Sequence, residues 1–246
     1  MDNLRRLGGL AGIVSGLATA WLTIGLTVAF PAAGITLRGQ NDPNKYLPFI
    51  AKHTVLFWTT DVLGGVLAAL AAAILMLALA DRFRAESDGQ AKIGLAMGLV
   101  GALGLAIGAF IRLTSAAYLT AIYGAAKLTA GVAFYAVNSM AHAFLALGAV
   151  ALGLSALIYG AMMLKNDSYT HAGYVSVVAG TPLIISAFIA GDVLYLIASG
   201  LITIWFFWTG ALLWLETVSI EPVRGARNGR ITQFKVVGRR RERRAV

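Results

Sequence analysis

The chain has 246 residues, of which 59% are hydrophobic and 13% are charged, and its mean hydropathy is +0.77. This composition is typical of integral membrane proteins and excludes an ordinary soluble globular domain. The net charge of +9 comes largely from the C-terminal end, and the absence of cysteine excludes disulfides, thiolate metal sites and cysteine nucleophiles.

Six apolar segments are long enough to cross a bilayer, which takes about 20 apolar residues. They lie near residues 8–30, 54–80, 93–123, 131–164, 172–190 and 193–215. The third and fourth segments exceed one crossing, so we expect these helices to tilt or to project beyond the hydrocarbon. The sequence therefore predicts an all-α integral membrane protein, with a bundle of about six transmembrane helices over residues 1–217 and a basic tail over residues 218–246.

Lysine and arginine are distributed unequally between the two sets of loops, and positive residues are retained on the cytoplasmic side of a membrane. One side collects the tail together with Arg5, Arg6, Arg82, Arg84, Lys92 and Lys165. The opposite side holds only Arg38, Lys45, Lys52 and Lys127. We therefore expect a multi-pass protein of the bacterial inner membrane with its N- and C-termini inside.

The tail ends in GRRRERRAV and has lost the hydrophobicity of the preceding segments. It either binds anionic lipid headgroups, where each basic residue near the surface contributes about 1 kcal/mol, or acts only as a topology signal. The first alternative assigns the headgroup contact to Arg239, Arg240, Arg241, Arg243 and Arg244. Nucleic acid is not an expected partner, because no aromatic residues are interleaved with these charges and no nucleic-acid-binding fold is recognisable.

Three predicted spans carry a charged, titratable or amide side chain on the face that also holds their small residues. Arg112 falls on the glycine face of the third span, Asp61 on the glycine and alanine face of the second, and Asn138 and His142 on the small-residue face of the fourth. Because small residues let helices approach closely, a polar group on such a face contacts protein or a water-filled cavity instead of lipid. We expect these side chains to meet in the outer half of the bundle.

A buried arginine needs a carboxylate or carbonyl partner. We expect Asp61 to pair with Arg112, with Asp192 as the alternative partner. Two interpretations are open. The pair is a structural contact that fixes helix register, or it belongs to a polar pocket, open to the outer side, in which Arg112 binds an anionic or carbonyl group and His142 titrates or donates a hydrogen bond. Asp192 and Tyr195 lie beside the turn between the last two spans and can join this pocket.

The first span adds a stripe of hydroxyl side chains at intervals of four residues, formed by Ser15, Thr19, Thr23 and Thr27. These side chains either line the same polar space or hydrogen-bond to their own helix backbone.

No cofactor and no metal are expected. A haem held by two histidines needs both at similar depth, whereas His53 and His171 are predicted at opposite membrane boundaries and His142 lies apart from both. The spacing of the acidic and histidine residues matches no metalloenzyme motif, and the glycines follow helical spacing without the lysine and hydroxyl of a nucleotide-binding loop.

The order of these features resembles a family of six-span bacterial membrane proteins catalogued as a domain of unknown function (DUF4386). The resemblance rests on RRLGGLAGIVSGL entering the first span, FWTTDVLGGVLAAL in the second, GAFIRLTSAAYL in the third, MAHAFLALGAVALGLSALIYGAMM in the fourth and HAGYVSVVAGTPLII in the fifth. It implies the same fold and carries over Asp61, Arg112 and His142 as the matching positions. The basic, proline-containing turn usual before the fifth span is replaced here by KNDSYTHAG, and the family implies no established activity.

The leading functional hypothesis is a non-catalytic membrane protein that binds a lipid or small molecule in an outer-leaflet polar pocket, or acts as an accessory subunit packed against other membrane subunits or a second copy. The first alternative is a small transporter or channel that uses Asp61, Arg112 and His142. Its expected helix break has one candidate, Pro182 in the fifth span. The second alternative is an intramembrane enzyme with His142 as general base, which lacks an evident nucleophile or metal.

Overall fold

The structure is a computed structural model that describes residues 2–189 and 192–219. Within these residues it is helical and contains no strand. The α-helices in chain order are α1 Asp2–Ile24, α2 Phe30–Ala32, α3 Pro43–Lys52, α4 Thr54–Asp61, α5 Ala68–Phe83, α6 Asp88–Tyr123, α7 Lys127–Met163, α8 Thr170–Ser186 and α9 Asp192–Ser219. Two π-helical segments, Gly25–Ala29 and Val62–Leu67, join α1 to α2 and α4 to α5.

Five helical stretches of the described chain are long and apolar enough to cross a membrane. They are Asn3–Ala32, Thr54–Phe83, Asp88–Tyr123, Lys127–Met163 and Val193–Thr217. The chain is therefore an all-helical protein of the membrane type. The fifth predicted segment, residues 172–190, corresponds to the 17-residue helix α8, which ends at Ser186.

The long helices pack in chain order, each against the next, and α9 returns to pack against α1. Facing glycines permit this close packing, because they let two backbones approach without intervening side chains. The facing pairs are Gly12 with Gly210, Gly104 with Gly148 and Gly153 with Gly180. A Cβ at Gly104 would lie 2.9 Å from the Cα of Gly148, so even one methyl group at this contact would force the helices apart.

One end of the bundle is fastened by ion pairs and hydrogen bonds. The Nε of Arg82 lies 2.9 Å from both carboxylate oxygens of Glu216, and the hydroxyl of Tyr169 donates to the same carboxylate at 2.8 Å. Arg5 pairs with Asp81 at 3.2 Å. These contacts join α1, α5, α9 and the turn before α8. We call this end the inner end, and the end where α6 meets α7 the outer end.

Helix α3 lies at the outer end and organises a separate apolar core there. Asp42 caps it by accepting a hydrogen bond from the backbone N–H of Asn44 at 2.9 Å, and Pro43 occupies the first helical position. Its side chains Tyr46, Leu47 and Ile50 are buried against α4, α6 and α7. The basic tail is outside the described residues from residue 220 onward, and so are its arginines Arg239, Arg240, Arg241, Arg243 and Arg244.

Candidate polar binding site

The structure brings Arg112 of α6 and Asp61 of α4 together at the outer end of the bundle. The Nε of Arg112 lies 3.5 Å from Oδ1 of Asp61, which is the pairing favoured by the sequence analysis. The Asp61 side chain is 4% exposed and the Arg112 side chain 16%. Asp61 is thus shielded from the surroundings of the protein, whereas a small part of the Arg112 side chain is accessible.

Tyr46 of α3 supplies the second contact to the guanidinium. Nη2 of Arg112 donates a hydrogen bond to the Tyr46 hydroxyl at 2.9 Å. The Tyr46 ring is held edge-on against Phe57 and Phe134. Burial raises the pKa of Tyr46 to about 12, so the phenol is neutral at physiological pH. The sequence pattern does not single out Tyr46, because the segment before the second span resembles a loop, although the nearby Asp42 and Pro43 are a local helix-start signal.

The protein's own contacts do not satisfy all the polar atoms of this site. Oδ2 of Asp61 is buried and has no hydrogen-bond partner among the described residues. Buried polar atoms normally have partners, so such an atom points to a further group or an ordered water. The 3.5 Å separation in the ion pair is also longer than the roughly 2.7–2.9 Å typical of a charge-assisted hydrogen bond.

A small cavity lies beside the guanidinium, between α6 and α7. Its walls are formed by Tyr46, Arg112, Ser115, Ala116, Phe134, Val137, Asn138 and Ala141. Its volume of about 20 Å³ exceeds the roughly 10–15 Å³ that one water molecule requires. Arg112, Ser115, Asn138 and Tyr46 are the lining residues with polar side chains, and the cavity takes one oxygen-sized group beside them.

The other residues predicted for the site lie around this centre at different distances. Asn138 lines the cavity, and its amide Nδ2 lies 3.4 Å from Oδ1 of Asn41. His142 lies one helical turn after Asn138 on α7. Its side chain is exposed and does not line the cavity, but it is close enough to Arg112 for the two groups to interact electrostatically. Tyr195 is within electrostatic range of Arg112 and is 42% exposed. Asp192 begins α9, and its side chain is outside the described part of the chain.

The hydroxyl stripe of the first span is bonded to helix backbone. Thr19, Thr23 and Thr27 each donate to the carbonyl oxygen four residues earlier, at 2.8, 2.9 and 2.7 Å. Ser15 donates to the carbonyl of Ala68 on α5 at 3.0 Å. Thr23 additionally contacts the hydroxyl of Ser199 on α9. The backbone-bonding alternative thus describes three of the four side chains, and the stripe does not line the cavity beside Arg112.

Asp61 is the last residue before the π-helical segment Val62–Leu67. Such segments interrupt the α-helical hydrogen-bond register and are frequent at functional sites. Gly64, within this segment, packs closely against Leu22 of α1: a Cβ on Gly64 would lie 2.4 Å from the Cβ of Leu22. Both protein partners of the guanidinium, Tyr46 and Asp61, therefore lie on the chain segment 43–61, which leads directly into this irregular stretch.

Comparison with known proteins adds no assignment, since no protein-family model, curated protein or solved structure matches the chain. The resemblance to the six-span family stays a prediction. Within the described residues, no three histidine, aspartate or glutamate side chains are grouped so that they could share a metal ion.

Proposed function

We propose that this chain is a non-catalytic, six-span protein of the bacterial inner membrane that binds the polar head of a lipid or small molecule at Arg112. The bacterial location rests on the sequence resemblance. The assignment of the inner end of the bundle to the cytoplasmic side rests on the distribution of basic residues. The six-span count and the binding role have support from the packing and the site geometry.

Packing supports six spans because α8 connects the inner end of α7 to the outer end of α9. Tyr169, just before α8, bonds to Glu216 at the inner end, whereas Tyr195, near the start of α9, is within electrostatic range of Arg112 at the outer end. The 17 residues of α8 extend roughly 26 Å at the helical rise. The N-terminal and C-terminal helices also meet, with the Arg6 guanidinium 5.2 Å from the Trp214 ring centre, so the start of α1 and the end of α9 lie on the same side.

The binding role is carried by one observation: a largely buried guanidinium forms part of a cavity wall and has donors that the protein does not use. A guanidinium has five N–H donors, and its contacts within the described chain are the hydrogen bond to Tyr46 and the looser pair with Asp61. Ser115 and Asn138 are further polar residues that line the same cavity. When a charged residue of a membrane helix lines a cavity, the default hypothesis is that it belongs to a functional site.

The test is to purify the wild-type protein in mild detergent and to identify bound molecules by mass spectrometry. We expect one lipid or small molecule in stoichiometric amount with the wild type and with Arg84→Leu, a matched control because Arg84 is an exposed arginine at the inner end. Arg112→Leu should lose this molecule. Arg112→Lys, which keeps the charge but not the planar fork, should retain less than the wild type. Equal amounts in all variants, or no bound molecule in the wild type, would contradict the proposal.

A second candidate function, an accessory subunit, is favoured by the outer end of the α6–α7 hairpin. The 36 residues of α6 extend roughly 54 Å, well beyond the roughly 30 Å of a hydrocarbon core. Large apolar side chains stay exposed on this end, namely Tyr118, Leu128, Val132 and Tyr135. Stable partner polypeptides in the same purification would favour this function.

A further inference from the structure

We propose that the ligand presents an uncharged carbonyl oxygen to Arg112, in preference to a carboxylate or phosphate, and that this carbonyl belongs to a neutral membrane-soluble molecule such as an ester, amide or quinone. The inference rests on the proposed binding function and specifies the chemical class of its ligand. Two features of the site support it: its charge disfavours both anions, and its size disfavours phosphate.

The charges of the site already cancel. Arg112 contributes one positive charge and Asp61, 3.5 Å away, one negative charge. The phenol of Tyr46 is neutral, and the polar cavity walls from Ser115 and Asn138 carry no charge. An anion beside the guanidinium would also stand close to the Asp61 carboxylate, so repulsion offsets much of the attraction while the anion still loses its hydration. A carbonyl oxygen accepts the same N–H donors without adding charge.

The dimensions of the cavity favour the same group. Its volume of about 20 Å³ fits one water-sized oxygen, so size disfavours a phosphate with its four oxygens. A carboxylate is as large as an amide and is disfavoured by its charge alone. The remaining walls are apolar and come from Phe134, Val137, Ala116 and Ala141. A ligand with one carbonyl oxygen on an apolar body matches the arrangement of one polar wall facing apolar ones.

Two probes of equal chain length separate the alternatives: decanamide, which presents a neutral carbonyl, and decanoate, which is ionised at about pH 8. Dissociation constants are measured for the full-length protein in detergent by native mass spectrometry. We expect the wild type to bind decanamide at least about tenfold more tightly than decanoate, a difference of about 1.4 kcal/mol. Asp61→Asn removes the negative charge and should tighten decanoate binding by about tenfold with little effect on decanamide. Arg112→Leu should weaken binding of both probes.

The results separate a failure of the carbonyl inference from a failure of the proposed binding function. If both probes bind in a manner that depends on Arg112, but decanoate binds the wild type as tightly as decanamide or more tightly, the carbonyl inference is overturned and the binding function stands. Failure of both probes to show binding that depends on Arg112 overturns both. The wild-type comparison decides the matter even if Asp61→Asn does not fold, and Arg84→Leu serves as the control for loss of an arginine elsewhere.

Discussion

The guanidinium of Arg112 is bonded to the hydroxyl of Tyr46, which lies 66 positions away in the chain on a short helix outside the long spans. This bond couples the outer helix α3 to the ion pair between Arg112 and Asp61. Any change in the position of α3 must therefore change the environment of the guanidinium. Both the stability of the outer end and the properties of the polar site depend on the same three side chains.

Breaking the ion pair from one side should destabilise the fold more than removing both partners. Arg112→Leu leaves the Asp61 carboxylate buried without its counter-charge, and we expect a loss of about 3–5 kcal/mol in the free energy of unfolding. The double variant Asp61→Asn, Arg112→Leu should recover part of this loss, since no uncompensated charge is left. Unfolding measured for the wild type, both single variants and the double variant gives the coupling energy. Strictly additive effects would show that the two groups are not coupled.

Removal of the Tyr46 hydroxyl should weaken the attachment of α3 to α6. Tyr46→Phe preserves the ring contacts with Phe57 and Phe134 but leaves the Nη2 donor of Arg112 without its acceptor, so we expect a loss of about 1–3 kcal/mol. Hydrogen exchange should report the effect selectively: relative to the wild type, the substitution should accelerate exchange in residues 43–52 more than in α9. Uniform acceleration across the chain would mean that the hydroxyl does not act through α3.

The same phenol should make the protein less stable in alkaline solution. Burial raises the pKa of Tyr46 to about 12 in the folded protein, against about 10 for an unperturbed tyrosine. Below pH 10 the phenol is protonated in both states and its contribution is complete. Between about pH 10 and pH 12 the unfolded chain releases its proton first, so stability falls by about 2–3 kcal/mol over this range. A titration of melting temperature should show a smaller alkaline fall in Tyr46→Phe, and parallel curves would contradict the assignment.

The packing of α6 against α7 should tolerate no added methyl group at its closest contact. A Cβ on Gly148 would lie 2.7 Å from the backbone nitrogen of Leu105, whereas a Cβ on Gly89 would meet nothing within 4 Å. We expect Gly148→Ala to destabilise the protein by about 1–3 kcal/mol through overpacking. Gly89→Ala, the matched control in the first turn of α6, should be neutral or should stabilise by up to about 1 kcal/mol. Equal melting temperatures for the two variants would argue against this close approach.

The proposed topology can be tested directly because the chain contains no cysteine. Single cysteines at Gly124, in the turn between α6 and α7, and at Gly89, at the opposite end of α6, occupy exposed positions. A membrane-impermeant maleimide applied to intact spheroplasts should label Gly124→Cys and should label Gly89→Cys only after permeabilisation. The reverse pattern would show that the inner and outer ends are assigned the wrong way round.

Much of the site could be predicted because small residues at helical spacing specify which face of a membrane helix packs against protein. Gly101, Gly104 and Gly108 place Arg112 on the inward face of α6, and the same reasoning places Asp61 toward it. The third and fourth segments are predicted to exceed one membrane crossing, and the helices α6 and α7 have 36 and 37 residues. Each of these features could be predicted from the residue pattern of a single segment.

Features that depend on contacts between distant segments could not be predicted in this way. Helix α3 has a local start signal at Asp42 and Pro43, but its docking against α6 follows from tertiary contacts of Tyr46. The π-helical segments depend on backbone register near Leu22 and Gly64, which sequence periodicity does not report. Sequence periodicity places His142 on the same face as Asn138, yet its side chain is exposed, whereas its neighbour Ala141 is buried and lines the cavity.

Ligand binding at Arg112 can be observed in an experimental structure of the protein in lipid nanodiscs, at a resolution that shows side chains and bound lipids. We expect non-protein density in the cavity between α6 and α7, with one atom of the bound molecule within hydrogen-bonding distance of the Arg112 guanidinium. A guanidinium bonded only to protein groups, beside a cavity closed by Phe134 and Val137, would contradict the proposed binding.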